Sequence, residues 1–188
     1  VSSEAARHYV HHLRAGCDAI IIGGNTLRQD NPLLTSHQPD APNPLRVVMT
    51  QKLDVPTKAI LWDTEIAPTL VVTQTGANPD MQTQLLDLGV QVLELDELRP
   101  DRVMQHLYDR GFLSVLWECG GTLAASAISD GAIQKVLAFI APKIIGGSIA
   151  PSPVGDLGIR SMNEALVLER ITWQQIGVDC LVQGYINR

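Results

Sequence analysis

The chain has 188 residues, of which 45% are hydrophobic, and a formal net charge of −6 at pH 7. This length and apolar content predict a single compact domain over residues 1–188. The excess of acidic residues argues against a nucleic acid or an anionic membrane as the main partner, because binding to a polyanion needs clustered Lys and Arg. The composition therefore favours a protein that acts on small molecules.

The cysteine content points to the same kind of protein. Cys17, Cys119 and Cys180 lie far apart and form no CxxC pair, which predicts neither a zinc site nor a disulfide framework. Free thiols favour a reducing setting, so we expect a cytoplasmic protein. The sequence has no apolar run near the roughly 20 residues of a membrane helix, and the first residues do not resemble a signal peptide. We therefore expect no metal ion and no membrane partner.

The chain begins with a helical pattern. Ser2 and Ser3 can cap a helix over Glu4–Ala15, which Gly16 is expected to end. Five short apolar runs rich in β-branched residues follow along the chain, and such runs are typical of buried strands. The predicted strands cover residues 18–22, 46–49, 69–73, 90–95 and 113–117.

Helical segments alternate with these runs. Pro79 and Pro100 each precede an Asp, a pattern typical of a first helical turn, and they predict helices over 79–88 and 100–108. The alternation of apolar strands with helices predicts an α/β domain whose central sheet is mostly parallel. Two extended segments near the end of the chain flank Gly177 and predict an antiparallel hairpin at the sheet edge, over residues 168–176 and 179–186.

Two glycine pairs follow predicted strands. In the stretch "WECGGTLAAS", Gly120 and Gly121 separate an apolar strand from a predicted helix over 122–129. Backbone N–H groups at a helix N-terminus favour a phosphate, so this turn is a candidate site for a dinucleotide pyrophosphate. A tight strand-to-helix turn with no ligand is the alternative. The stretch "GGNT" at 23–26 repeats the pattern, and two such turns on neighbouring parallel strands would meet at one crevice.

Several charged residues are candidates for substrate contacts. Arg14, Arg28 and His37 could meet an anionic substrate, although a solvated surface charge is the alternative for any single arginine. Glu118 follows the apolar run 112–117, where a carboxylate is costly unless it is hydrogen-bonded or used.

Other ionisable motifs carry less information. The adjacent His11 and His12 face different sides of the predicted helix and are interpreted as surface or helix-end residues. The sequence contains no HExxH pair, no Walker-type loop and no Ser/His/Asp order typical of a hydrolase.

Four segments in one order resemble a known family. The segments are "VSSEAARHYVHHLRAGCDAIIIGGNTLRQDNPLLTS", "RVVMTQ", "LWECGGTLAASAI" and "AFIAPKIIGG". They are similar to the reductase domain of the riboflavin-biosynthesis protein RibD, 5-amino-6-(5-phosphoribosylamino)uracil reductase. The resemblance implies a three-layer α/β fold like that of dihydrofolate reductase, a homodimer, and hydride transfer from NADPH to ribose C1′. Such a reaction needs no covalent nucleophile, so no catalytic residue is assigned.

The resemblance also implies site residues. Arg14 would bind the ribose phosphate and Glu118 would accept hydrogen bonds from the aminouracil, with Leu34 and His37 as neighbouring substrate contacts. Lys52 and the turn 73–75 are the available donors for the cofactor 2′-phosphate, and the choice between them stays open. Thr50 and Thr73 are weaker candidates, for the adenosine side of the cofactor. The residues matched to cofactor contacts are Thr26, Asp30, Gly120, Gly121, Thr122, Leu123 and Ser126.

The sequence departs from the family in three places. Ser36 and His37 stand where many members have a second phosphate-binding arginine, so phosphate affinity is expected to weaken above the pKa of the imidazole. The family's first strand, which precedes the "VSSE" start, is missing from this sequence. The zinc ligands of the upstream deaminase domain are missing as well, so this chain alone is not expected to deaminate.

Two alternatives to the reductase remain open. One is a related reductase that acts on another pyrimidine or a pterin. The other is a nucleotide-binding domain without turnover.

Overall fold

The computed structural model describes residues 2–147 and 150–187. All five predicted apolar runs form strands of one parallel sheet, with the order β4-β3-β2-β1-β5. The parallel α/β architecture expected from the sequence is therefore confirmed. The strands are β1 (Ala19–Gly23), β2 (Leu45–Met49), β3 (Thr69–Gln74), β4 (Gln91–Leu95) and β5 (Val115–Trp117).

Alternate residues of these strands fill two separate cores. Ile20 and Ile22 of β1 belong to one apolar cluster, whereas Ala19 and Ile21 belong to the other. Successive side chains of a strand point to opposite faces of the sheet, so an apolar core covers each face. This arrangement gives three layers, and it explains why the strands are apolar runs without alternation.

The described part of the chain contains five α-helices. The first helix ends where the sequence predicts, because the Ser3 hydroxyl accepts a hydrogen bond from Ala6 N at 3.3 Å and Gly16 caps the other end. The short helix after β1 was not predicted, since its start looks like a glycine turn; Asn31, at φ 40°, ends it. The helices are α1 (Glu4–Ala15), α2 (Gly24–Asp30), α3 (Pro79–Asp87), α4 (Pro100–Asp109) and α5 (Gly121–Ser129).

The C-terminal hairpin forms with the predicted bounds, as β7 (Leu168–Ile176) and β8 (Asp179–Ile186). Its expected position at the edge of the parallel sheet is wrong, because β8 pairs with β6 (Lys135–Ile140) in a second, antiparallel sheet of order β6-β8-β7. Residues 135–140 were not predicted to form a strand, and so the partner of the hairpin was missed. Among the described residues, β5 pairs with β1 alone and β6 with β8 alone.

Candidate active site

The order of the parallel strands reverses next to β1. The chain passes from β1 to β2 on one side and later places β5 on the other side. Such a reversal opens a crevice at the carboxyl ends of the strands, where open α/β sheets bind their ligands. Both strands at this crevice end in glycine pairs, Gly23-Gly24 and Gly120-Gly121, and Glu118 N donates to Ile21 O at 3.0 Å. The fold therefore brings the two predicted turns together.

The first glycine pair is in close contact with its neighbours. A Cβ added to Gly23 would lie 3.5 Å from Leu123 Cδ2, and one added to Gly24 would lie 3.0 Å from Thr50 Cβ. Leu123 belongs to α5 and Thr50 follows β2, so the turn contacts both flanks of the crevice. Two candidate cofactor residues thus pack directly on the glycines.

The two glycines of the second pair, Gly120 and Gly121, have different roles. A Cβ added to Gly121 would lie 2.5 Å from Ser152 O, and Gly155 N donates to Gly121 O at 2.9 Å. Gly121 is therefore required by the approach of the loop around residues 152–155, a contact that the sequence did not reveal. A Cβ added to Gly120 would meet no described atom within 4 Å, so the backbone there is open to a ligand.

One side of α5, along its whole length, lines a cavity of about 660 Å³. Thr122 and Ser126, both candidate cofactor contacts, lie on its wall together with Arg99 and Asp156. No side chain caps the N-terminus of this nine-residue helix, so its first backbone N–H groups are available to an anion. Arg99 is held by ion pairs to Asp101 and Asp130.

Arg14 and Glu118 meet at the crevice. Arg14 Nε and Nη2 donate to the two carboxylate oxygens of Glu118, each at 2.7 Å, and Nη1 donates to Thr35 O at 3.2 Å. The side chains are 12% and 23% exposed. Both residues were expected to contact the substrate separately, whereas the structure pairs them with each other. No local pattern indicates this pairing, since 104 positions separate the two residues.

The loop after α2 carries two further candidates. Leu34 is buried and adopts φ 55°, and the exposed His37 adopts φ 54°. The ring of His37 stacks on that of His11, with centroids 4.2 Å apart. His11 was interpreted as a surface or helix-end residue, but it is half-buried beside the candidate site. Burial lowers the pKa of His11, and the positive charges of His37 and Arg14 lower it further.

The remaining candidates on β2 and β3 are engaged within the protein. Thr50 Oγ1 donates to Asp54 Oδ1 at 3.3 Å, and the buried Thr73 donates to Gln51 O at 3.4 Å. Beside them, a cavity of about 310 Å³ at the carboxyl ends of these strands is lined by Lys52 and by Gln51, Gln74, Thr75, Gly76 and Ala77.

The candidates on α2 lie in different surroundings. Arg28 forms an ion pair with Asp54 at 3.0 Å, so its charge is neutralised. Thr26 is half-buried within α2, and Asp30 is exposed at the end of that helix.

The chemistry of the remaining groups is limited. Burial raises the pKa of Cys119 to about 11, so this thiol is neutral near pH 7 and is a poor nucleophile. Across residues 2–147 and 150–187, no three His, Cys, Asp or Glu side chains are grouped to hold a metal ion. None of the helices in this part of the chain is both long and apolar enough to cross a bilayer.

The sheet and its crevice define an open α/β domain in which two glycine turns flank the crevice, the place where such domains bind their ligands. Residues 1–182 match the model of the RibD C-terminal domain family, and the chain belongs to this family. The family resemblance inferred from the four sequence segments is therefore confirmed.

Curated relatives agree with this assignment. The chain is 55% identical over 187 residues to the chloroplastic riboflavin biosynthesis protein PYRR of Arabidopsis thaliana, covering 100% of this chain and 31% of that protein. It is 53% identical over 186 residues to RibD of a Synechocystis strain, covering 99% of this chain and 50% of that protein. The chain thus spans half or less of the length of these relatives.

A shorter relative and a solved structure extend the comparison. A 2,5-diamino-6-ribosylamino-4(3H)-pyrimidinone 5′-phosphate reductase of Methanothermobacter thermautotrophicus is 33% identical over 188 residues, covering 97% of this chain and 86% of that protein. Acinetobacter baumannii RibD superposes with a TM-score of 0.86 at 25% identity, over 100% of this chain and 52% of that one. The expected fold class, like that of dihydrofolate reductase, is confirmed.

Proposed function

We propose that this domain catalyses the NADPH-dependent reduction of 5-amino-6-(5-phosphoribosylamino)uracil to the ribitylamino product in riboflavin biosynthesis. The observation that carries the proposal is the Arg14 and Glu118 pair at the crevice, next to an uncapped helix N-terminus. The family membership and the names of the relatives support the same reaction class.

The cofactor would lie along α5 and the glycine turns. Exposed backbone at Gly120 and the uncapped first turn of α5 suit a pyrophosphate, because the N–H groups there carry partial positive charge. Thr122 and Ser126 would add hydroxyl donors, and Leu123 would pack between the turns. The chemistry that NADPH supplies when bound is hydride donation to C1′ of the opened ribose.

We also propose that the domain prefers NADPH to NADH. Lys52 lines the cavity at the ends of β2 and β3, where its charge would bind the 2′-phosphate of NADPH. Thr73 and Thr75 are weaker candidates, because their hydroxyls already donate to Gln51 O and Asp96 Oδ1.

The substrate would meet the fixed carboxylate of Glu118. Each carboxylate oxygen has lone pairs beyond the one that faces Arg14, so Glu118 can still accept hydrogen bonds from the amino groups of the pyrimidine. Arg14 would hold the carboxylate in place and aimed at the crevice. The protein would thus orient the two reactants and leave the electron transfer to the cofactor.

The direct test is the fall of NADPH absorbance with freshly deaminated phosphoribosylaminouracil, with NADH in parallel. The proposal expects turnover with a preference for NADPH, and Lys52→Ala should reduce that preference while the NADH rate stays unchanged. Turnover only with a pterin or another pyrimidine would favour the related reductase. Cofactor binding without turnover of any substrate in the panel would favour a nucleotide-binding domain.

We also propose that the domain forms a homodimer through its second sheet. Trp173, Val182 and Ala138 are register partners across β7, β8 and β6, so they share one face of this sheet. Helix α1 covers the opposite face, where Tyr9 meets Phe139 edge-on at 5.8 Å. The exposed apolar row fits a second copy of itself in an isologous contact.

Three proposals concern the wider protein. Residues 1–188 would form one reductase domain, and the limited share of the relatives that it spans supports an upstream deaminase domain. A preceding strand would find a backbone partner at the edge of β5 or of β6 that pairs with no other strand among residues 2–147 and 150–187. The free thiols of the three cysteines support a reducing, cytoplasmic setting.

A further inference from the structure

The loop that follows β2, residues 50–54, is held by side chains from two other parts of the chain. Arg28 Nη1, on α2, donates to Asp54 O at 2.9 Å and lies 3.0 Å from Asp54 Oδ1. Asn78 Nδ2, in the residue before α3, donates to Leu53 O at 3.2 Å. Two successive backbone carbonyl groups of the loop are therefore fixed from outside it.

The other end of the loop is joined to β3. Thr73 Oγ1 donates to Gln51 O at 3.4 Å, and Gln51 Nε2 donates to Gln74 Oε1 at 3.0 Å. Lys52 lies between the held residues Gln51 and Leu53, and it is exposed and lines the cavity of about 310 Å³ at the ends of β2 and β3. Within the part of the chain that the structure describes, the Lys52 ammonium is not paired with another side chain.

The backbone of Leu53 has an unusual conformation for a residue with a side chain. Its φ is 52°, in the left-handed region that L-residues rarely adopt, and its side chain is fully buried in the core on one face of the sheet. Such a conformation persists only where the surrounding structure holds it, and it is found most often at functional sites. The buried Leu53 therefore anchors the loop beside the exposed Lys52.

The ion pair of Arg28 with Asp54 contributes little to folding. The two side chains are 38% and 61% exposed, and ion pairs as exposed as this have small effects on stability. The same guanidinium nitrogen contacts the backbone oxygen and the carboxylate of Asp54, and Thr50 Oγ1 donates to that carboxylate at 3.3 Å. The contacts thus fix the path of the loop more than they stabilise the domain.

We propose that Arg28 and Asp54 are positioning residues for Lys52, and that they increase the preference for a cofactor with a 2′-phosphate. This inference rests on the proposed function, in which Lys52 binds that phosphate. A loop that is held in its binding conformation loses less backbone freedom when the ligand arrives, so the ligand binds more tightly. Arg28 and Asp54 would act on the 2′-phosphate through Lys52, without touching it.

The first experiment measures binding of adenosine 2′,5′-bisphosphate by calorimetry, with 5′-AMP as the matched ligand. Arg28→Met and Asp54→Asn are combined, since together they remove one charge of each sign and the new amide still offers Oδ1 to Thr50. Affinity for the bisphosphate should fall about fivefold, and affinity for 5′-AMP should change less than about twofold. Glu4→Gln with Arg7→Met, a pair of exposed residues on α1, is the control and should leave both affinities unchanged.

A mutant cycle with Lys52→Ala shows whether the pair acts through the lysine. In the Lys52→Ala background the combined Arg28 and Asp54 variant should cause no further loss of bisphosphate affinity. Arg28→Lys alone keeps a cation beside Asp54 and should lose less than about twofold. A full loss that persists without Lys52 would overturn the inference, because the pair would then act on the ligand directly. Equal losses for both ligands would also overturn it, because they would indicate a general loosening of the site.

The outcomes separate this inference from the proposed function. If Lys52→Ala binds the bisphosphate as tightly as the wild type does, the proposed 2′-phosphate site is wrong, and the inference fails with it. If Lys52→Ala weakens binding and the combined Arg28 and Asp54 variant does not, the inference alone is overturned. In a turning-over enzyme that variant should raise KM for NADPH about fivefold with little change in kcat, and an unchanged KM would contradict the inference. If the wild type does not turn over, the proposed reaction is wrong, and the bisphosphate titration still tests the positioning of Lys52.

Discussion

Arg14 and Glu118 join the first helix to the carboxyl end of β5 through two parallel hydrogen bonds of 2.7 Å each. The pair is mostly shielded from water, so its geometry is worth more than that of a surface ion pair. It fixes a carboxylate at the reversal of strand order, next to the glycine turn. The pair therefore links α1 to β5 and is also the proposed contact for the pyrimidine of the substrate.

The first prediction concerns Glu118→Gln. The amide keeps the size of the side chain but loses the charge, so kcat should fall about ten- to hundredfold while the affinity for NADPH stays unchanged. Steady-state kinetics and a separate cofactor titration measure the two effects. Loss of folding in this variant, seen by circular dichroism, would instead mean that the carboxylate serves stability alone.

A double-mutant cycle isolates the ion pair itself. Arg14→Met and Glu118→Gln, alone and combined, should show a coupling free energy of about 1–3 kcal/mol in urea unfolding, because each single change leaves a partly buried charge without its partner. Additive effects would contradict a direct interaction between the two side chains.

The second glycine pair gives a matched comparison of stability. Gly121→Ala should lower the free energy of unfolding by about 1–3 kcal/mol, because its Cβ would meet the backbone oxygen of Ser152. Gly120→Ala should cost less than about 1 kcal/mol, since its φ is −71° and the added Cβ meets no described atom. Equal losses in thermal or urea denaturation would show that the loop moves freely away from Gly121.

Oligomeric state tests the exposed sheet face. Trp173→Lys should convert a dimer to a monomer in sedimentation velocity at micromolar concentration, because it places a charge in the apolar row. Tyr108→Lys is the control, since Tyr108 on α4 is similarly exposed, at 64% against 68% for Trp173. A wild-type monomer at this concentration would contradict the proposed homodimer.

Acid stability should depend on Asp179. Its carboxylate accepts a hydrogen bond from Ser3 N at 2.7 Å, and that hydrogen bond holds the pKa of Asp179 below its usual value. A lowered folded-state pKa stabilises the protein above the unfolded-state value of about 3.9, and this stabilisation is lost as the pH falls through the folded-state pKa. Asp179→Asn should therefore lower Tm at pH 7 and flatten its decline below about pH 5.

The control for that experiment is Asp87→Asn on the exposed side of α3, which removes the same charge without touching Ser3. A Tm profile of Asp179→Asn that parallels the wild type at every pH would contradict a role for this hydrogen bond.

Local patterns determined much of this protein. The capped helix Glu4–Ala15, the apolar strands and the bounds of the C-terminal hairpin follow from residues close together in the chain, and the structure reproduces them. The two glycine turns were also recognisable, because the residues that make a turn are adjacent. The family follows from the same segments, since their order and spacing are properties of the sequence itself.

The contacts between these elements depend on the tertiary structure. The pairing of Arg14 with Glu118, the stack of His11 on His37 and the contact of Gly121 with the loop at Ser152 all join distant parts of the chain. The partner of the hairpin was missed for the same reason, because pairing with β6 depends on which edges the packed layers leave open. Local propensity and periodicity describe the neighbours of a residue in sequence, whereas these contacts depend on strand order and layer packing.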